Sequence, residues 1–444
     1  MNVTTELSGP EKIIATVFHQ LESQINGERN SGFHQVREMA YQKFQELGFP
    51  GIKHEEYRYT PLVKRVPPIL TLPSDQTENA DTGFLVKNLP EHSKSKKAVI
   101  VNGVLNEELS DLKNSPEKVS VNSFRKIIQR NPGYLESVLK GELEQNKDPF
   151  LSLNTAFAKD GIVVEIQDHV ILESPFYIIN FADTAVPGLF SSTRNIIIGK
   201  KNSRSQIVEF YLGKNQPTSF ENCCTSIYLE ENAELSYSKV QLIGNQAVQI
   251  DTTQVHQRRH SHFNSFTFTL SGGMIRNNLN VSLDEPECET HLYGLFLPTG
   301  KEHVDHHTVV DHRKPNCLSN EYYKGILDGE SRGVFNGKIF VRPDAQKTNA
   351  YQSNKNILIS EHASINTKPQ LEIWADDVKC THGTSTGKLD EDQLFYLRSR
   401  GIDLESARSL LVFAFVNEII GKLDQPELRQ YLEKKIQERL GQHF

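Results

Sequence analysis

The chain predicts a mainly β protein: a coil of stacked strands with helical segments at both ends. Three observations carry this. From about Gly161 to Ile373 the sequence is a succession of short β-branched or alternating runs broken by Asn, Asp, Ser and Gly. No stretch of helical period interrupts these roughly 210 residues, which excludes an alternating α/β fold and leaves a sandwich, a barrel or a β-solenoid. The strand total is large for one sandwich and no linker divides it, so the solenoid is favoured, although no crisp repeat is visible.

The elements follow in order. Pro10 suits a first helical turn, and Ile13, Ile14, Val17, Phe18, Leu21 and Ile25 recur at helical spacing. A second helix carries Val36, Ala40, Phe44 and Leu47, with Gly48 at C′ and Pro50 as a stop. Glu55–Thr60 reads as an extended, aromatic-rich link, residues 70–95 as polar loop, and 121–145 as another helical patch ending near Asp148 and Pro149. The β runs then begin with Ile162–Ile166, Val170–Leu172, Phe176–Ile179, Ile196–Ile198 and Ile207–Leu212. Strict alternation appears later. Phe266, Phe268 and Leu270 alternate with Ser265, Thr267 and Thr269, and Leu279, Val281 and Leu283 with Asn280 and Ser282, so one face should lie inside and the other outside. Helix returns at Asp390, an N-cap with Gln393 in the capping-box position, and stops at Gly401. Asp403 caps a helix with a wide apolar face, and a last helix follows Pro426. The expected division is a helical or mixed region over 1–155, a β core over 156–388 and a helical domain over 389–444.

Composition narrows the function. Lys and Arg number 49 against 56 Asp and Glu, a net charge of −7, which offers no surface for nucleic acid or anionic membrane. The N-terminus shows neither a basic n-region nor an apolar core, and the longest apolar run, Leu410–Val416, is far too short to span a bilayer; a cytoplasmic protein is expected. Five cysteines and no C-x-x-C argue against a disulfide framework and against zinc-ribbon or thioredoxin-like chemistry.

Cys380 and His382 carry the sharpest chemical signal. Side chains at i and i+2 of a strand point the same way, so a thiol and an imidazole lie side by side, a pairing suited to iron, zinc or copper. The alternative is a buried Cys beside a hydrogen-bonded His. Two ligands do not complete a site; the others would come from elsewhere in the chain or from another subunit. His303, Asp305, His307 and Asp311 share one strand face, with His306 and His312 on the other. That pattern fits a polar ladder of imidazoles and carboxylates better than a metal site. Cys223 and Cys224 point to opposite faces, and Cys288 and Cys317 stand isolated. Gly383–Gly387 matches the G-x-S-x-G nucleophile elbow in letters only, because the helix signal begins at Asp390 and the one later His is His443. No P-loop or dinucleotide fingerprint occurs, and Asp376 and Asp377 are neighbours rather than a glycosidase pair.

Several of these residues together resemble the SufB/SufD family of iron–sulfur cluster assembly proteins. The matching pieces are His303-x-Asp305-x-His307, His312-x-x-Pro-x-Cys317-x-Ser319, Tyr323-Lys-Gly325, Phe335-x-Gly337, Gln346-Lys-Thr348, Gln352-x-Asn354-x-Asn356, the run Leu371–Gly383 and Leu394–Gly401. Glu55–Thr60 and Leu153–Ala156 also fit. Ala375-Asp-Asp-Val-Lys-Cys380-x-His382-Gly383 is similar to SufD rather than SufB. The resemblance implies a right-handed parallel β-helix flanked by helices and a non-enzymatic scaffold role. It implies a SufB-like partner met through the β-helix and a SufC-like ABC-type ATPase bound by the C-terminal helices, and it leaves open a homodimer when the chain is isolated. Cys380 and His382 match the interface Cys and His of the family, which implies iron or an iron–sulfur cluster held transiently with the partner. The rival classes are a purely structural subunit without metal contact and a carbohydrate-active β-helix enzyme.

Overall fold

The computed structural model describes residues 9–24, 32–74, 80–94, 96–112, 118–183, 187–215 and 218–440. Its body is a parallel β-solenoid of about eight turns built from two facing sheets. One sheet climbs from Phe176–Ala182 to Lys379–Gly387, the other from Ile162–Ile166 to Ser364–Ile373. Within the first, Glu234, His262, Glu289, Leu318, Asn349 and Lys379 stack in register, so each turn consumes about thirty residues. Successive coils pass one corner through a residue of positive φ: His169, Asn202, Asn232, His260, Glu287, Asn316 and Lys347. The backbone amide of each reaches a carbonyl of the next coil, as from Asn202 to Glu231 (3.1 Å) and from Asn316 to Gln346 (2.9 Å). The left-handed corner costs strain in any residue but Gly or Asn, and this inter-coil bonding offsets it.

Inside the coil, Ile162, Ile178, Ile207, Ile227, Phe263, Leu292 and Phe335 belong to one buried apolar column. The interior is not uniformly apolar. Glu209 is buried and accepts hydrogen bonds from Asn180 (2.8 Å), Asn195 (2.9 Å) and Tyr211 (2.9 Å) as well as from Tyr237. Lys239 pairs with Asp251 in the same space, and each is almost wholly buried. Such groups are tolerated only because they are mutually bonded.

The alternating strand His262–Ser271 has one face inside the coil and one outside, as the alternation predicts, but the apolar face is the outer one and both faces are buried. Phe266, Phe268 and Leu270 point outward, but there they pack with Val412, Val416, Ile419 and Leu432 of the C-terminal helices. Ser265, Thr267 and Thr269 are equally buried and face the interior, where Thr269 donates to Gln241 (2.6 Å). The C-terminal helices therefore cover this sheet as a second layer.

The N-terminal helices are Gly9–Gln24 and Gly32–Leu47, and Gly48 ends the second at φ +71, as the C′ glycine predicts. Five expectations are corrected here. Glu55–Tyr57 is a 3-10 turn rather than an extended link, held by contacts to the solenoid given below. The stretch read as loop contains a helix, Thr82–Asn88, capped by Asp81, whose carboxylate accepts from the Phe84 amide at 2.9 Å. The single patch over 121–145 divides into the end of a strand, Val119–Ser123, and two helices, Phe124–Arg130 and Pro132–Gln145. Asp148 does not terminate a helix but caps a third, Pro149–Phe157. Val170–Leu172, read as a strand, contributes only an isolated bridge at Ile171. The helices Glu391–Ser399 and Leu404–Ile420 start on the Asp390 and Asp403 caps, and Pro426–Leu440 follows.

The two ends of the coil differ. At the first, Val119–Ser123 closes the sheet by pairing antiparallel with Ile162–Ile166. At the other, Lys379–Gly387 pairs only with Asn349–Leu358, and Ser364–Ile373 only with Arg332–Val341, so both last strands leave one edge unpaired among the described residues.

Candidate metal centre at the open end of the solenoid

Cys380 and His382 lie on the terminal strand Lys379–Gly387, in register with Ala350 and Gln352. Both side chains occupy the same strand face, as the i, i+2 spacing requires. Cys380 is half-buried against the interior apolar column, and burial pushes its thiol above the ordinary range. His382 is exposed. Beneath His382, Gln352 is buried and donates to Glu321 at 2.7 Å, and burial pushes the Glu321 carboxyl up to about 7. The strand therefore presents one thiol and one imidazole at the mouth of the coil, with no further turn above them. A metal arriving there must displace the thiol proton, which couples affinity to pH. No third ligand from this chain joins the two among the described residues.

The other predicted histidines are placed apart from these two. His303, Asp305 and His307 face outward beneath the Glu55–Thr60 segment. His303 Nε2 lies 3.2 Å from Thr60 Oγ1, and His307 contacts Asp305 (3.1 Å) and Glu56 (3.4 Å). Arg276 joins Asp305 at 2.7 Å, donates to the Glu56 carbonyl at 2.7 Å and stacks 3.8 Å from the Tyr57 ring. Burial alone would push the Asp305 carboxyl up, but Arg276 and His307 hold it well below the usual range. Glu56 is held down to about 2, first by its bond to His307 and further by Lys338. The polar-ladder arrangement is the one found, and it clamps the N-terminal region to the coil. A cleft of about 710 Å³ opens beside it, walled in part by Tyr57, Asp148, Arg276, Asp311, Lys338 and Arg342. On the opposite strand face His306 sits between the Phe296 and Tyr323 rings, centroids 5.1 and 5.3 Å away, and His312 bonds Ser319 at 2.9 Å. Ser385 of the G-x-S-x-G run is on the exposed edge strand, not at a strand-to-helix elbow, and His443 lies outside the described residues.

One relationship escaped the sequence. Cys288 and Cys317, isolated in the chain, stand at the same corner of adjacent coils, and both sulfurs contact the Glu285 carbonyl oxygen, at 3.1 and 3.5 Å. The Cys288 thiol and His312 together lower the Cys317 pKa, while that of Cys288 is raised by the same pairing. Only the coil length would have shown them to be neighbours.

The fold is thus a β-solenoid capped at one end and, among the described residues, bare at the other, with a thiol and an imidazole at the bare rim. Comparison with known sequences specifies the family. The family model described as SUF system FeS cluster assembly, SufBD core domain, matches residues 181–415, and the SufBD protein N-terminal region matches 9–178. The chain belongs to the SufBD family of iron–sulfur cluster assembly proteins. An iron–sulfur cluster assembly SufBD family protein of Synechocystis sp. is 29% identical over 423 residues, spanning 93% of this chain and 92% of the relative. Iron–sulfur cluster assembly protein SufD of Escherichia coli is 28% identical over 408 residues, 90% and 92% of the two chains. A chloroplastic protein of Arabidopsis thaliana, ABCI7, is 27% identical over 444 residues, 97% and 91%. Among the described residues, no helix is long and apolar enough to cross a membrane.

Proposed function

We propose that this chain is a SufD-type, non-enzymatic scaffold subunit acting in the cytoplasm. Its open solenoid end docks on a SufB-like subunit, and iron or an iron–sulfur cluster is held transiently across the seam by His382 and Cys380 together with donors of the partner. The carrying observation is the pair of bare edges, Ser364–Ile373 and Lys379–Gly387. Long unpaired edge strands invite pairing with another chain and are normally covered. Here residues 381–387 are exposed throughout, with His382 among them and the half-buried Cys380 just before them. Pro369 in the other last strand fits an edge position, where a missing N–H costs nothing. In isolation the same edges would support a homodimer.

The C-terminal helices offer the second docking surface. Phe395 is 75% exposed, Tyr396 57% and Leu410 50%, while the opposite side of the layer is buried on the coil. We assign this apolar surface to a SufC-like ATPase. ATP-driven closure of such an ATPase pair would then pull on the helices and, through the sheet they cover, on the seam.

The test is co-purification. Thr384→Pro with Thr386→Pro, whose backbone amides face the open edge of the terminal strand, should abolish capture of the SufB-like subunit and leave ATPase capture intact. Truncation before Asp390 should have the reverse effect. Undiminished SufB-like capture by the proline variant would refute the edge-docking reading.

A further inference from the structure

The structure carries a second candidate metal site, far along the chain from Cys380 and independent of the function proposed above. We infer that Glu22, His34 and Glu38 bind one divalent transition-metal ion and thereby staple the helix Gly9–Gln24 to the helix Gly32–Leu47. The three side chains offer one imidazole nitrogen and two carboxylate oxygens, all within 4.8 Å of one another. His34 and Glu38 are one helical turn apart, so both reach the same side of their helix, and Glu22 arrives from the preceding helix.

The spacing fits a metal better than an ion pair. His34 Nε2 lies 3.5 Å from a Glu22 oxygen and 3.5 Å from a Glu38 oxygen. An imidazole nitrogen carries at most one hydrogen and cannot serve two carboxylates at once. A direct charge-assisted hydrogen bond would close to about 2.7–2.9 Å, and neither contact does. Ligands around a tetrahedral ion with bonds of about 2.0–2.1 Å stand roughly 3.3–3.5 Å apart, which both separations from His34 Nε2 match, the two carboxylate oxygens lying within 4.8 Å of each other. A second observation points the same way. The other Glu22 oxygen, Oε1, is buried and has no hydrogen-bond partner among the described residues, a costly state for a carboxylate that a bound cation would relieve. The His34 side chain is only 4% exposed and that of Glu22 18%, whereas Glu38 at 55% leaves a route for the ion and room for water as a fourth ligand. Imidazole with carboxylates suits zinc, ferrous iron or cobalt and lacks the thiolate that would select copper(I).

The experiment uses the full-length chain carrying Cys380→Ala and His382→Ala, so that the rim donors cannot contribute. After treatment with chelator it is titrated with Co²⁺ and, separately, with Zn²⁺. One equivalent should bind. The cobalt form should show visible ligand-field absorption without a near-ultraviolet thiolate band, and zinc should raise Tm. Glu22→Gln, and Glu38→Gln at the half-exposed position where folding is not at stake, should each weaken binding by roughly tenfold or more and remove the zinc-dependent rise in Tm. Absence of stoichiometric binding, or binding unchanged in both variants, overturns the assignment. Because the rim ligands are already removed, neither result bears on the proposed scaffold function.

Discussion

Lys324 and Glu418 meet at 2.7 Å where the helix Leu404–Ile420 crosses the coil wall, and the lysine side chain is fully buried at the joint. Its ammonium also donates to the Phe415 carbonyl at 2.8 Å and sits 3.9 Å from the Phe415 ring centre. Lys324 stands on the strand Leu318–Leu327, two strands from the terminal one. A force applied to the C-terminal helices therefore enters the sheet close to its open edge. Lys324→Ala removes the stem and both contacts, whereas Glu418 is half-exposed and can turn to water. The expected loss is about 1–3 kcal/mol in urea unfolding. Lys324→Met keeps the packing and should lose less than about 1 kcal/mol.

Asp305 is the hub of the N-terminal clamp. It is wholly buried, as is most of Arg276, so removing one charge strands the other. Asp305→Ala should destabilise the protein by about 3–5 kcal/mol, measured by urea unfolding. Adding Arg276→Met should recover part of that loss, which a merely local packing defect at residue 305 would not allow.

Two buried histidines make stability depend on acid. Burial lowers the His303 pKa to about 4 and that of His306 to about 3. Both folded values lie below the unfolded value of about 6.5, so the unfolded chain takes up protons first. The stabilisation is complete above about pH 6.5 and is lost as pH falls toward the folded values, by roughly 2 kcal/mol per histidine between pH 7 and 5. The urea midpoint should drop over that interval. His306→Phe, placed between two aromatic rings, should remove its share of the drop.

The exposed face of the C-terminal layer should matter for binding and not for folding. Phe395→Ser together with Leu410→Ser should leave Tm within a few degrees of the parent and eliminate capture of a SufC-like ATPase. A large fall in Tm would place these side chains in the core instead.

Much of the architecture was legible because its signals are local. Period-2 alternation, the Asp390 and Asp403 caps and the Gly48 stop each depend on a few neighbouring residues, and each was found where expected. The thirty-residue coil was not legible. Its corner is marked by backbone conformation, and the residues adopting it are His, Asn, Asn, His, Glu, Asn and Lys, which share no single side-chain type. Without that period the meeting of Cys288 with Cys317 could not be foreseen. The sense of the strand His262–Ser271 was also hidden, because a helical layer buries its apolar face from outside while the interior accepts bonded polar groups. Glu55–Tyr57 became a turn because Arg276, His307 and Lys338 grip it from the coil. The shared face of Cys380 and His382, by contrast, follows from two positions in one strand and was plain in the sequence.

The most direct test is the iron and acid-labile sulfide content of the chain co-expressed with SufB-like and SufC-like partners and purified without oxygen. The seam account predicts that Cys380→Ala with His382→Ala leaves the three-subunit complex assembled but sharply lowers both contents. Intact complexes of the double variant with undiminished iron and sulfide would contradict it.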